Sequence, residues 1–597
     1  MNLDSNENSD GDTHGPDSDP SHDESVAPVS SVTQPDAAGE MGWTGDPDDD
    51  NTIVDERDES HPVKGDADAP DDDAACHRSI YDSRHFQKWT TASLLIFFSL
   101  FALEFIRSDL WFDEILTITH FGLRPRWLDV FLTYPIANNH ILFSFLLWIW
   151  LRITDFVISE EVLRFPCLVM ALLALSLLYS HGRRLFDNAA GLLLALTLAF
   201  SPVYLGFFCQ LRGYGLSILL SVMATIGAFY IFRNQTWEGL SLYIPGVLLL
   251  PGVVPSNVLV NGSLFLFLNI MFLKGRIWLR KLPLLIFLAI VSAVGMLIYL
   301  PIKEKFLKVA STTGGWEVGW QVCAHWGLAI FAHNGLFLAA CFCIGRQVPK
   351  SEQKPELPAD LRIVLSALPV LFVCCVVPIV FMSLYRVPYP RAFLGYLGPL
   401  TFCALILYRP WVCRPNKNFY LLIFFILANG VVWFHLGNYF TRRSLLEGHI
   451  RQNLIQQFYT RNQDIQQTAR VLAISPLVTP RTRIFVDFHF YLSFDRYLRL
   501  YWLPWRGRPS PVECLNGGAL FELALPKAAY GRLPILILAH SKEHARESYQ
   551  RTLEVDVQLE QIGTSGAIKI FHVITPRNGK RPFLPRRDRS DYGNIEI

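Results

Sequence analysis

Charged residues make up only 18% of this 597-residue chain, against the roughly 25% usual in soluble domains. Apolar side chains fill the deficit, with 51% hydrophobic and 13% aromatic residues. That balance excludes an ordinary soluble enzyme and points to a chain that uses lipid as part of its solvent. Basic residues are nearly missing from one end: roughly the first 75 residues hold some twenty-odd Asp and Glu but only Arg57 and Lys64. The zero net charge therefore conceals an acidic leader and a strongly basic remainder. The leader, with "SDGDTHGPDSDPSHDESVAPVSS", is also nearly empty of aromatics. It cannot bury enough surface to offset its ordering entropy, so residues 1–80 are expected to be a disordered acidic tail.

Two further absences narrow the reading. The eleven cysteines include no CxxC pair and fall mostly inside apolar stretches, as at Cys167, Cys209, Cys341, Cys343, Cys374, Cys375 and Cys403. This scatter excludes a disulfide framework or a cysteine metal site and leaves packing residues. No short basic segment with a cleavage site precedes the first apolar run near Trp89, so that run reads as an uncleaved anchor.

What is present is a succession of apolar runs of bilayer-spanning length. They fall near 89–106, 164–181, 189–207, 213–232, 239–254, 256–273, 282–301, 321–345, 362–384, 392–409 and 418–437. A further segment, "NHILFSFLLWIWLRITDF" at 139–157, could span the membrane or lie along it. Loop charge decides. If it lies in the interface, "RHFQK", "HGRRLF", "FRNQ", "KGRIWLRK", "GRQVPKSEQK" and "YRPWVCRPNK" all share one side, as the cytoplasmic bias of Lys and Arg requires. The fold class expected is thus a polytopic α-helical membrane protein. It has about eleven transmembrane helices over 81–440, a cytoplasmic N-terminus, and a long first external loop at 107–162 carrying interfacial helices. After about 440 charge returns and strand-length apolar runs such as "RIFVDF" and "LPILILAH" alternate with helix-like stretches. Residues 441–597 are expected to form a small extracytoplasmic α/β domain with a loose basic tail.

The polar residues that break the apolar pattern gather on one side of this topology. Asp113 and Glu114 stand together in "FIRSDLWFDEILTITHFG". Adjacent carboxylates repel unless a cation or hydrogen-bond donor is near, the condition under which a general base or metal ligand is made. The same loop carries Asn138, Asn139 and His140. Arg212 and Tyr214 interrupt a long apolar stretch in "YLGFFCQLRGYGLSI", and Arg386 and Arg391 flank the prolines of "LYRVPYPRAFLGYLGP". Arginines on the face where basic residues are disfavoured call for an anionic partner, and a lipid phosphate fits. Within the C-terminal region "VDFHFYLSFDRYLRLYW" holds Asp487, His489 and Asp495, which read as strand-face residues running into an amphipathic helix.

In "LWFDEI", "NNHILFS", "LRFP", "RRLFDNAAGLLLALTLAFSPVYLGFFCQLRGYGL" and "RAFLGYLGPL", taken in order and by position relative to the runs, the chain resembles the GT-C class of polytopic glycosyltransferases. The likeness is to the bacterial RgtA/B/C/D-like branch, itself similar to the aminoarabinose and protein mannosyltransferases, and it covers roughly 89–437. The resemblance implies a sugar donor linked through phosphate to a polyprenyl lipid, a glycan, lipid or protein acceptor, and transfer with inversion. It gives Asp113 the place of the first-loop acid that acts on the acceptor and Glu114 that of its usual neighbour. Asn139, His140, Arg212, Tyr214, Arg386 and Arg391 are then candidates for substrate binding. Many relatives carry His or Lys followed by two prolines where this chain has His140, Ile141 and Leu142, so no direct catalytic role for His140 is implied. No cofactor and no nucleic acid partner are expected. A divalent ion is not assumed, because arginines can neutralise a monophosphate leaving group. The bacterial likeness implies an inner membrane. The alternative is a transporter or flippase for a lipid-linked substrate, although such proteins place ionisable groups near the bilayer midplane on broken helices.

Overall fold

The computed structural model describes residues 84–133, 140–305, 307, 359–385, 390–408, 417–446, 465–476, 478–479, 481–487, 491–501, 511–515, 534–539, 541–553, 557–565, 568–574 and 595–596. The acidic leader and the expected span at 321–345 lie outside these residues, as do Asn139, Arg386 and His489.

The chain is a multi-pass helical membrane protein with a small C-terminal sheet. Six described helices are long and apolar enough to cross a bilayer, within Lys88–Ile106, Glu160–Leu185, Tyr214–Phe232, Pro255–Lys274, Trp278–Lys305 and Leu361–Met382. In chain order the helical elements begin with α1 (Arg84–Ile106), α2 (Phe112–Thr117), α3 (Trp127–Leu132), α4 (Ile141–Ile153) and α5 (Glu160–Leu185). They continue with α6 (Asn188–Ala199), α7 (Pro202–Phe207), α8 (Tyr214–Phe232), α9 (Thr236–Val253), α10 (Val258–Lys274) and α11 (Trp278–Val294). Next come α12 (Ala359–Tyr385), α13 (Leu397–Cys403), α14 (Leu405–Tyr408) and α15 (Lys417–Leu446). Apolar side chains at Ile96 and Leu100 of α1, and at Val373, Val377 and Phe381 of α12, remain exposed, as helix faces turned to hydrocarbon would be.

Several runs differ from their simplest reading. The run at 189–207 is two helices, because Pro202 cannot donate a backbone bond into the preceding turn and instead opens α7. The run at 392–409 divides into a 3-10 turn (Pro390–Tyr396), α13 and α14. The last apolar helix continues to Leu446, past the boundary expected at 440. The ambiguous segment at 139–157 forms α4, of 13 residues, about 20 Å at 1.5 Å per residue and short of a hydrocarbon core of about 30 Å. Its Arg152 lies over the Trp148 ring at 3.5 Å and donates to the Arg124 carbonyl oxygen at 2.6 Å, stapling α4 to the preceding loop.

Helix α8 is the centre of the bundle, buried along almost its whole length. Its closest neighbour is α9, and the approach depends on Gly227: a Cβ there would lie 2.6 Å from the Tyr243 backbone nitrogen. Such small-residue contacts let helices pack where lipid supplies no hydrophobic drive.

The C-terminal domain contains α16 (Ile465–Ile474), β1 (Arg483–Asp487), α17 (Tyr491–Tyr501), β2 (Val512–Leu515), β3 (Ile535–Ala539), α18 (Lys542–Leu553), β4 (Gln558–Ser565), β5 (Ile568–Ile574) and β6 (Ile595–Glu596). The sheet order is β2-β1-β3-β5-β4-β6, with β1 parallel to β2 and β3, and β5 antiparallel to β3 and β4. Strand alternation supplies a core on each face. Ile484 and Val486 pack with Phe494 and Leu498 of α17, while Phe485 and Ile537 pack with Ala545 and Tyr549 of α18. The described cysteines are buried and form no disulfide among the described residues, in keeping with packing.

Candidate active site

The site is built around the junction of α2 with the turn before α8. Trp111 precedes α2 in extended conformation, and its N–H donates to the Glu114 carboxylate at 3.1 Å, tying the first turn to its own entry. Successive residues of a helix are separated by about 100°, so Asp113 and Glu114 diverge and each meets a different cation.

Glu114 is fully buried and holds the framework. Arg164, near the start of α5 and also buried, donates to both its oxygens, at 2.6 and 3.1 Å. The Leu211 N–H adds a bond of 2.8 Å. The same guanidinium donates to the carbonyl oxygens of Ile106 at 2.9 Å, Asp109 at 3.0 Å and Ser108. A bidentate, charge-assisted pair with so many secondary bonds fixes position, and removing either partner would strand a charge away from water. Arg164 was missed as a site candidate. An arginine opening an apolar run in "VLRFP" was the signal, of the kind that marked Arg212.

Asp113 faces the other way and forms an ion pair with Arg212. The Asp113 side chain keeps 11% of its surface exposed against 1% for Arg212, so the carboxylate is at the rim and the guanidinium is deep. Arg212 also reaches His140 Nε2 from its Nε at 3.3 Å and from Nη2 at 3.0 Å. A guanidinium has no acceptor, so His140 must present its Nε2 lone pair and carry the proton on Nδ1. Tyr214, the first residue of α8, closes the group: its ring is edge-on to His140 at 5.0 Å and lies 5.5 Å from the Arg212 guanidinium carbon. Gly213 allows this approach, because a Cβ there would be 2.2 Å from Val253 Cγ1 and 2.9 Å from His140 Nδ1.

The structure therefore brings together Asp113, His140, Arg212 and Tyr214, with Glu114 beside them on Arg164. Arg391 lies in the 3-10 turn before α13. Asp487 ends β1 and pairs with His544 at the start of α18, and Asp495 of α17 pairs with Arg499. Among the described residues no group of three or more His, Cys, Asp and Glu is placed to hold a metal ion. A rim carboxylate backed by a deep cation can accept a proton from an incoming nucleophile and stabilise an anionic leaving group.

No family model matches the chain, and no curated protein does. Solved structures similar to it include ArnT from Cupriavidus metallidurans in the apo state, at 11% identity and TM-score 0.45 over 81% of this chain and 98% of that one. The same protein bound to undecaprenyl phosphate is similar at 13% identity and TM-score 0.44, over 80% and 97%. The Archaeoglobus fulgidus oligosaccharyltransferase, in complex with zinc and sulfate, is similar at 12% identity and TM-score 0.32, over 79% and 68%.

Proposed function

We propose that this chain is an integral membrane glycosyltransferase that moves a sugar from a polyprenyl-phosphate donor to a glycan, lipid or protein acceptor. The reaction takes place on the extracytoplasmic face of a bacterial inner membrane, with the N-terminus in the cytoplasm and the α/β domain outside. The observation that carries the reading is the Asp113–Arg212–His140 group: a rim carboxylate and a deep guanidinium in contact, at the end of a membrane-spanning helix where a prenyl tail could remain in lipid. The quoted motifs shared with the GT-C class support it.

In this mechanism the acceptor hydroxyl or amine gives its proton to Asp113 as its oxygen or nitrogen bonds to the anomeric carbon. The bond from that carbon to the phosphate oxygen breaks, and its electron pair leaves with the polyprenyl phosphate. Attack opposite the leaving group inverts the carbon. Positive charge on the sugar and negative charge on the phosphate grow together, so Arg212, joined by Arg386 and Arg391, stabilises the departing anion. Asn139, His140 and Tyr214 are assigned to substrate binding. Glu114 is assigned to positioning, because its two oxygens serve Arg164, Leu211 and Trp111.

Mass spectrometry of cell-envelope glycans tests the proposal. A strain carrying Asp113→Asn should lack one sugar substituent that the unaltered strain displays, with the membrane protein present in equal amount. An unchanged glycan profile would refute it.

A further inference from the structure

Among the described residues, the α/β domain meets the helical bundle at the strap of residues 108–111 that leads into α2, at Ile158 and Glu160 where α5 begins, and where α17 packs against α2. The Leu110 N–H donates to the Tyr497 hydroxyl at 2.9 Å, and that hydroxyl donates to the Glu160 carboxylate at 2.7 Å. Asp109 reaches the opposite way: its Oδ2 accepts from the N–H groups of Ile465 at 2.9 Å and Gln466 at 3.1 Å. These are the first two residues of α16, whose amides have no partner within their own helix, so a residue some 356 positions away supplies the cap. Arg496 adds a bond of 2.7 Å to the Ile158 carbonyl oxygen. From the membrane side Arg164 takes the carbonyl oxygens of Ser108 and Asp109. The strap is thus gripped from both sides, and two residues further on stands Asp113.

We propose that the α/β domain is a positioning element for the reacting carboxylate, with Tyr497 and the Asp109 cap on α16 setting the strap so that Asp113 meets Arg212. This rests on the transferase reading of Asp113. Simple docking would need contacts anywhere on the external surface. Here three of the bonds fall on Asp109 and Leu110, which lead to the site, and the others on Ile158 and Glu160 beside them. Tyr497 is suited to the task, since burial, with Glu160 and Asp109 nearby, pushes its phenol well above the usual range and preserves it as a donor. The bonds of Tyr497 and of the Asp109 carboxylate described above fall on Leu110, Glu160 and α16, so both are assigned to act through the strap.

The test uses full-length purified protein with Tyr497→Phe, Asp109→Ala and Asp109→Asn, the last retaining a capping oxygen. Tyr497→Phe and Asp109→Ala should lower kcat about tenfold, the scale of one buried hydrogen bond, with KM for the prenyl-phosphate donor unchanged. Asp109→Asn should remain close to the unaltered enzyme. In the same samples, hydrogen exchange at Glu114 and Ile115 should quicken several-fold in the first two variants and not in the third. Should Tyr497→Phe fail to fold, the Asp109 pair carries the comparison. Unchanged exchange and unchanged kcat overturn the proposal, as does a raised KM at constant kcat, which would make the domain a substrate-binding one. If the unaltered chain transfers no sugar, the transferase reading fails by itself, and exchange alone decides whether the domain sets the strap.

Discussion

Asp113 and Arg212, 99 residues apart in sequence, form an ion pair in which the carboxylate is at the rim and the guanidinium is sealed behind it. The arrangement gives Arg212 two tasks, aiming Asp113 and presenting positive charge to whatever leaves.

Arg212→Ala should therefore slow sugar transfer by about a hundredfold to a thousandfold, the usual cost of one preorganised donor to a developing anion. Arg212→Lys keeps the charge and loses the planar fork that reaches Asp113 and His140 together, so it should recover part of the rate. Rates measured with a prenyl-phosphate sugar in purified membranes check this, and equal rates for Arg212→Ala and the parent would count against the role.

Glu114 and Arg164 should separate from Asp113 by their effect on stability. Arg164→Leu leaves a buried carboxylate without its cation and should cost about 3–5 kcal/mol, seen as a large fall in Tm in detergent. Asp113→Asn, which lies at the rim and keeps an oxygen facing Arg212, should lower Tm less than Arg164→Leu does while abolishing transfer. A variant of Arg164 that melted like the parent would contradict the tie assigned here.

Gly213→Ala places a methyl group where Val253 and His140 already stand. The ring of His140 must then shift from Arg212, and transfer should fall by more than tenfold with the protein still folded. Adding Val253→Ala relieves the shorter of the two clashes and should restore part of the rate. Activity assays on the single and double variants provide the comparison.

The α/β domain should loosen in acid. His572 of β5 stands opposite Leu536 and Glu560, and burial lowers its pKa below the ordinary 6.5, with Glu560 opposing the shift. The folded domain thus binds the proton less readily than the unfolded chain. Stability is complete above about 6.5 and is lost as pH falls from there through the folded pKa. Limited proteolysis of the domain against pH should show this slope, and His572→Gln should flatten it.

Much of the architecture was legible in sequence because lipid imposes simple demands. Length and hydropathy marked the six described helices long enough to cross a bilayer, and "RIFVDF" and "LPILILAH" marked two strands of the C-terminal sheet. Loop charge argued that the segment at 139–157 lies along the membrane, and the helix it forms, α4, has 13 residues. Asp113, Glu114, His140, Arg212 and Tyr214 were visible as polar exceptions in apolar surroundings. Arg164 escaped because its charge stands at a helix start, where an arginine can also serve as an interfacial anchor, and Gly213 because its value depends on what lies opposite it.

Composition and pattern by themselves determined that this chain is a membrane protein of many helices, with few ionisable groups inside its apolar runs, since an unpaired charge in hydrocarbon is too costly to scatter. Only the tertiary structure decided which cation each acid meets. Asp113 and Glu114 are neighbours in the chain, but a helix turns them about 100° apart, sending one to Arg212 and the other to Arg164. Contacts across hundreds of residues, such as Leu110 with Tyr497, leave no periodic trace in sequence, because they depend on where two separately folded surfaces come to rest.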